Sequence, residues 1–82
     1  MHTVKVLFFA TLRDYVGSKS VDMEIPIGST VQELTDLLVL AYPGLEKVKD
    51  SMMAAINHEY AADEQVIPKD AEIAFFPPVS GG

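Results

Sequence analysis

Cysteine is missing from this 82-residue chain, and that absence removes disulfides, thiolate metal sites and a cysteine nucleophile from the chemistry open to it. Positive charge is scarce as well. Six Lys and Arg stand against twelve Asp and Glu, and the formal net charge of −6 opposes phosphate backbones and anionic lipid alike. Neither a nucleic acid nor a membrane is therefore an expected partner. No run of about 18 apolar residues occurs, and Met1-His2-Thr3-Val4-Lys5 leading into a strand-like segment does not read as a secretory signal, so a cytoplasmic protein is expected. A phosphate-cradling loop is also lacking, because Gly17 and Gly28 stand alone at element ends.

What is present is ordinary globular composition, 49% hydrophobic and 22% charged, in a length that allows one small domain. A chain of this size buries only about 60% of its unfolded surface, which leaves little room for a deep enclosed active site of its own. Chemistry is expected at the surface or at the end of the chain, with help from a partner.

Along the chain, Val4, Val6 and Phe8 share one face of an opening strand, and Lys5, Leu7 and Phe9 share the other. Ala10 to Val16 reads as a short helical turn ending at Gly17. Ser20 to Ile25 alternates cleanly, Val21, Met23 and Ile25 against Ser20, Asp22 and Glu24, as a half-exposed strand does. Thr30-Val31-Gln32-Glu33 fits a capping box, and Val31, Leu34, Leu37, Leu38 and Ala41 then trace an apolar helix face that Tyr42-Pro43-Gly44 ends. Leu45 to Asp50 reads as a helical turn or loop, Met52 to Ile56 as a strand, Asn57-His58-Glu59 as a turn, Tyr60 to Ala62 as a brief return strand, and Glu72 to Phe76 as the last strand. One helix among these strands predicts an α+β domain over residues 1–76, a mixed sheet with the helix across one face. If the first and last strands are neighbours, a right-handed crossover makes them parallel.

Residues 77–82 form a separate extended tail in this reading. Pro77 and Pro78 favour an extended backbone without hydrogen bonds, and the six residues to Gly82 could reach roughly 20 Å at about 3.3 Å each. Gly81 and Gly82 carry no side chains to clash with a narrow enzyme channel. Pro77, Pro78, Val79, Ser80 and Gly81 are thus expected to insert into a partner's site, with the α-carboxylate of Gly82 as the reactive group. A frayed terminus is the plain alternative.

The opening Val4-Lys5-Val6-Leu7-Phe8-Phe9-Ala10, the following Leu12-Arg13, the Ala55-Ile56-Asn57 segment and the closing Ala74-Phe75-Phe76-Pro77-Pro78-Val79-Ser80-Gly81-Gly82 resemble the MoaD family, the small sulfur-carrier subunits of molybdopterin synthase. The resemblance runs nearly end to end. It departs at Pro68-Lys69-Asp70-Ala71-Glu72, where the family often has Asp-Gly-Asp-Glu. It implies a ubiquitin-like β-grasp fold whose terminal glycine is adenylated by a MoeB-like activating enzyme, of the ubiquitin-activating type, and converted to a thiocarboxylate. A MoaE-like large subunit then uses that sulfur to build the dithiolene of molybdopterin from cyclic pyranopterin monophosphate. On this reading the chain is not catalytic alone and binds no cofactor itself, and ATP belongs to the activating partner. A sulfur carrier for thiamine synthesis and a ubiquitin-like protein modifier are the alternatives.

Strand alternation adds a partner surface. If Ile73 and Phe75 face inward, Ala74 and Phe76 face outward, and Phe76 can meet Phe9 in an exposed patch of the kind that marks interfaces; burial in the core or under a loop is the other reading. The resemblance adds Tyr60 to this patch, and Arg13 is a candidate contact to an acidic partner. His2 and His58 lack the spacing of metal ligands, so no metal site is expected. Asp63 and Glu64, or Asp70 and Glu72, read as solvated loop charges, and Met52 and Met53 as core filler.

Overall fold

The structure, a computed structural model, describes residues 1–77. Alternating apolar residues make β1 (His2–Phe8), after which α1 (Leu12–Val16) occupies a single short stretch closed by Gly17 in the left-handed region at φ 81°. β2 (Ser20–Ile25) returns antiparallel beside β1, with Val6 opposite Val21 and Val4 opposite Met23. α2 (Val31–Ala41) crosses the sheet, and two short 3-10 turns, Pro43–Lys47 and Lys49–Ser51, lead into β3 (Met53–Ile56), β4 (Glu59–Ala61) and β5 (Glu72–Phe76). The five strands lie in the order β2-β1-β5-β3-β4. β5 runs parallel to β1, with Val6 opposite Ile73 and Phe8 opposite Phe75. Chain termini of the sheet thus meet at its centre, as the crossover rule anticipates, and the expected β-grasp arrangement is present.

The start of α2 accounts for its own unpaired amides. Thr30 Oγ1 accepts from the Glu33 amide at 3.2 Å, and Glu33 Oε1 accepts from the Thr30 amide at 3.0 Å, the reciprocal capping box. The amides of Val31 and Gln32 donate to the carbonyls of Gln65 and Asp63 at 3.0 and 2.9 Å. The long segment between β4 and β5 is thereby pinned over the helix start, and its Ile67 and Ala71 enter the core.

Val4, Val6, Phe8, Ile73 and Phe75 of the sheet pack against Val31, Leu34 and Leu38 of α2, with Leu12, Ile25 and Leu45 closing the sides. At about 1.5 to 3 kcal/mol per fully buried large side chain, this cluster supplies the main drive to fold. One expectation changes here. Ala41, the last residue of α2, is exposed rather than part of the buried stripe, and the core at that end is closed by Leu45 of the following turn, which is fully buried. Thr35, a polar residue, is buried in its place, its hydroxyl satisfied by donating to the Val31 carbonyl at 3.0 Å. No helix among the described residues is long and apolar enough to cross a membrane.

Candidate functional site

The face of the sheet turned away from α2 has small residues at its centre and large ones around them. Ala74 of β5 lies opposite Leu7 of β1 on one side and Ala55 of β3 on the other, and Ala55 in turn lies opposite Tyr60 of β4. Two alanines side by side leave a floor, and Leu7, Phe9, Tyr60 and Phe76 stand as walls around a groove of about 230 Å³. Ala55 is buried at its base although it points away from the core.

Phe9 and Phe76 are brought together as expected, their rings stacked with centroids 4.8 Å apart and planes 12° from parallel. Each is half-buried by the other. Phe9 lies one residue beyond β1, where its amide donates to the Phe75 carbonyl at 3.1 Å. Ala10 then takes a left-handed conformation, φ 53°, which turns the chain into α1; for a residue with a Cβ this is an uncommon state held by its surroundings. Arg13 has a defined task in that turn. Its Nε donates to the Phe8 carbonyl at 2.9 Å, and its guanidinium lies 5.7 Å from the centre of the Phe9 ring. Tyr60 packs edge-on to Phe76 at 6.3 Å and is 74% exposed, far more than a monomer core tolerates.

Met53 corrects an expectation. It is exposed, lies opposite Phe76 in the β3–β5 register and extends the apolar face toward β4, whereas Met52 packs against the core. The short apolar run of β3 hid this, since Met-Met-Ala-Ala-Ile offers no polar residue to mark the outer face. Ala55, His58 and Glu72 were equally invisible as groove residues. Asn57 and His58 form a two-residue turn with φ of 48° and 74°, the paired left-handed geometry of a tight hairpin, and this sets His58 at the rim. Asn57 Oδ1 accepts from the Glu72 amide at 2.9 Å, and the Asn57 amide donates to the Glu72 carbonyl at 2.8 Å, clamping the turn to β5. His58 Nε2 and Glu72 Oε1 lie 4.0 Å apart in the open, a surface pair of small energetic weight.

The groove is apolar at the Phe9, Phe76 and Tyr60 end and polar at the His58 and Glu72 end, with no nucleophile set beside a base. The apolar end has the composition of a docking surface. β5 delivers the chain to the apolar end, where Pro77 follows Phe76 directly and is half-buried. Pro78, Val79, Ser80, Gly81 and Gly82 lie outside the described residues. Among the described residues, no three His, Asp or Glu side chains cluster as metal ligands would.

A five-stranded sheet with first and last strands parallel at its centre and one helix across it defines a ubiquitin-like β-grasp protein. The chain belongs to the ThiS family, whose model matches residues 6–82. It is 40% identical over 79 residues to the molybdopterin synthase sulfur carrier subunit of Arabidopsis thaliana, covering 96% of this chain and 82% of that one. To the molybdopterin synthase sulfur carrier subunit of Caenorhabditis briggsae it is 38% identical over 84 residues, covering the whole of both. Among solved structures, the small archaeal modifier protein SAMP1 of Haloferax volcanii superposes with a TM-score of 0.85 at 34% identity, covering 98% of this chain and 99% of that one.

Proposed function

We propose that this chain is the sulfur-carrier subunit of a molybdopterin synthase. The observation that carries the reading is the stacked Phe9–Phe76 face at the very strand end from which residues 77–82 depart, in a chain 40% identical to a protein named for that role. With Gly82 as the end of the chain, its carboxylate attacks the α-phosphate of ATP held by a MoeB-like activating enzyme, and pyrophosphate leaves. A carboxylate is a poor electrophile, whereas the acyl adenylate carries a good leaving group. A sulfur nucleophile from outside the chain then adds to the carbonyl and expels AMP, forming the thiocarboxylate. The groove of Leu7, Phe9, Tyr60 and Phe76, with Met53 on the same sheet face beside it, docks on a MoaE-like large subunit, and the slim tail presents sulfur to cyclic pyranopterin monophosphate there. Acids, bases and substrate-binding charges come from the partners.

The test is intact-mass spectrometry of the chain from its native cell, with reconstituted sulfur transfer. The mass gain of one oxygen replaced by sulfur is expected, together with loss of transfer when Gly82 is deleted and retention of the fold. Full product formation by the truncated chain would overturn the reading. The likeness to SAMP1, named a modifier, favours one second reading, conjugation to lysines of other proteins. Isopeptide-linked diglycine remnants on those proteins would support it.

A further inference from the structure

The opposite side of the molecule carries a second groove, of about 280 Å³, between α2 and the turn that follows β2, lined by Pro26, Ser29, Glu33, Asp36, Leu37 and Leu40. Its four helix residues stand at positions i, i+3, i+4 and i+7, a continuous stripe along one side of α2. Leu40 is 79% exposed, and Ile27, next to the groove's Pro26, is 77% exposed. A lone exposed leucine needs no explanation. Here Pro26, Leu37 and Leu40 line one concavity, and the two charged residues that line it, Glu33 and Asp36, are both acidic, although Lys49 stands near Asp36.

That charge pattern selects the occupant. α2 carries Glu33 and Asp36 and no Lys or Arg over its whole length, on a molecule of net charge −6. A second copy of this chain would bring like charge against the stripe and is disfavoured. A helix side with two carboxylates, Glu33 and Asp36, toward its start and two leucines, Leu37 and Leu40, toward its end matches an incoming helix that supplies apolar anchors and cations at three- and four-residue steps. We propose that this groove docks a basic amphipathic helix of a partner protein, with aliphatic side chains seated against Leu37, Leu40 and Pro26 and Lys or Arg side chains meeting Glu33 and Asp36.

The groove lies on the helix side of the sheet, whereas Phe9, Tyr60 and Phe76 lie on the other. The two surfaces can therefore be occupied together, and the inference holds whether or not the sulfur-carrier reading does. A carrier that passes between enzymes gains from this arrangement, since one partner can hold α2 while another takes the aromatic face.

The probe is a synthetic amphipathic helical peptide made of leucine and lysine, titrated into the isotope-labelled full chain and followed by backbone amide shifts. Saturable shifts at Ser29, Asp36, Leu37 and Leu40 are expected, weakening as ionic strength rises. Leu40→Asp and, separately, Asp36→Lys should each reduce affinity by roughly tenfold or more, and Phe76→Ala should leave it unchanged. Both substituted groove residues are exposed, and the amide spectrum of each variant verifies its fold. Shifts confined to the sheet face, binding indifferent to both groove variants, an absence of saturable binding, or concentration-dependent pairing of the chain through Leu40 would each overturn the proposal.

Discussion

Phe76 shows how one side chain serves both the fold and the surface. Its backbone closes β5 against β3, while its ring leaves the core, stacks on Phe9 and meets Tyr60 edge-on. Phe76→Ala is expected to cost the isolated chain about 1 kcal/mol for the lost aromatic contact and to weaken docking on a large subunit by about 1 to 3 kcal/mol. Paired urea unfolding and calorimetric titration separate the two effects. Unchanged affinity would remove Phe76 from the interface. Phe8, its mirror image, stacks on Phe75 at 6.2 Å and meets Tyr42 edge-on at 6.5 Å inside the core. Phe8→Ala should destabilise by about 3 to 5 kcal/mol, a large part of what a domain of this size possesses, and urea denaturation reads it directly. Adjacent phenylalanines thus do opposite work because successive residues of a strand point to opposite faces.

At the scale of elements, α2 depends on its beginning more than on its end. Its last turn holds no basic residue to offset the helix dipole, whereas its first turn has the capping box and two carbonyls from the β4–β5 segment. Thr30→Ala should cost about 1 kcal/mol, seen as a lowered urea midpoint with an unchanged slope. An unaffected midpoint would mean that the Gln65 and Asp63 carbonyls carry the cap alone. The tail makes the complementary case for stiffness. If the tail inserts into a partner as proposed, each residue fixed costs about 1 to 2 kcal/mol of backbone entropy, and Pro77 and Pro78 are expected to reduce the part of that cost at its base. Replacing both by glycine should slow sulfur transfer from a pre-formed thiocarboxylate while leaving docking affinity unaltered. Transfer at the original rate would make the prolines a simple stop to β5.

Across the whole molecule, the sheet separates two surfaces of different chemistry. One is aromatic, floored by alanines and placed at the end of β5; the other is aliphatic and acid-lined along α2. The parallel pairing of β1 with β5 produces the first, because it sets the residue after β1 and the last residue of β5 beside each other, although Phe9 and Phe76 are 67 positions apart in the sequence. Among the described residues, no three His, Asp or Glu side chains cluster on either surface as metal ligands would.

Local order decided most of the elements in advance. The period of two in Ser20 to Ile25, the capping box at Thr30 and the stop at Tyr42-Pro43-Gly44 each depend on residues a few positions apart, so the chain alone determined β2 and α2 to the residue. The facing of β1 and β5, and with it the outward Phe9 and Phe76, was legible for the same reason. Tertiary structure alone decided the rest: that Met53 is surface, that Ala55 and Ala74 form one floor, that Arg13 steadies Phe9 through the Phe8 carbonyl, and that Leu37, Leu40 and Pro26 share a groove. Those facts turn on which strand lies beside which, and on loops that return from far along the chain to fill or leave open the space beside a helix. Periodicity states which way a side chain points; only the packed fold states what it meets.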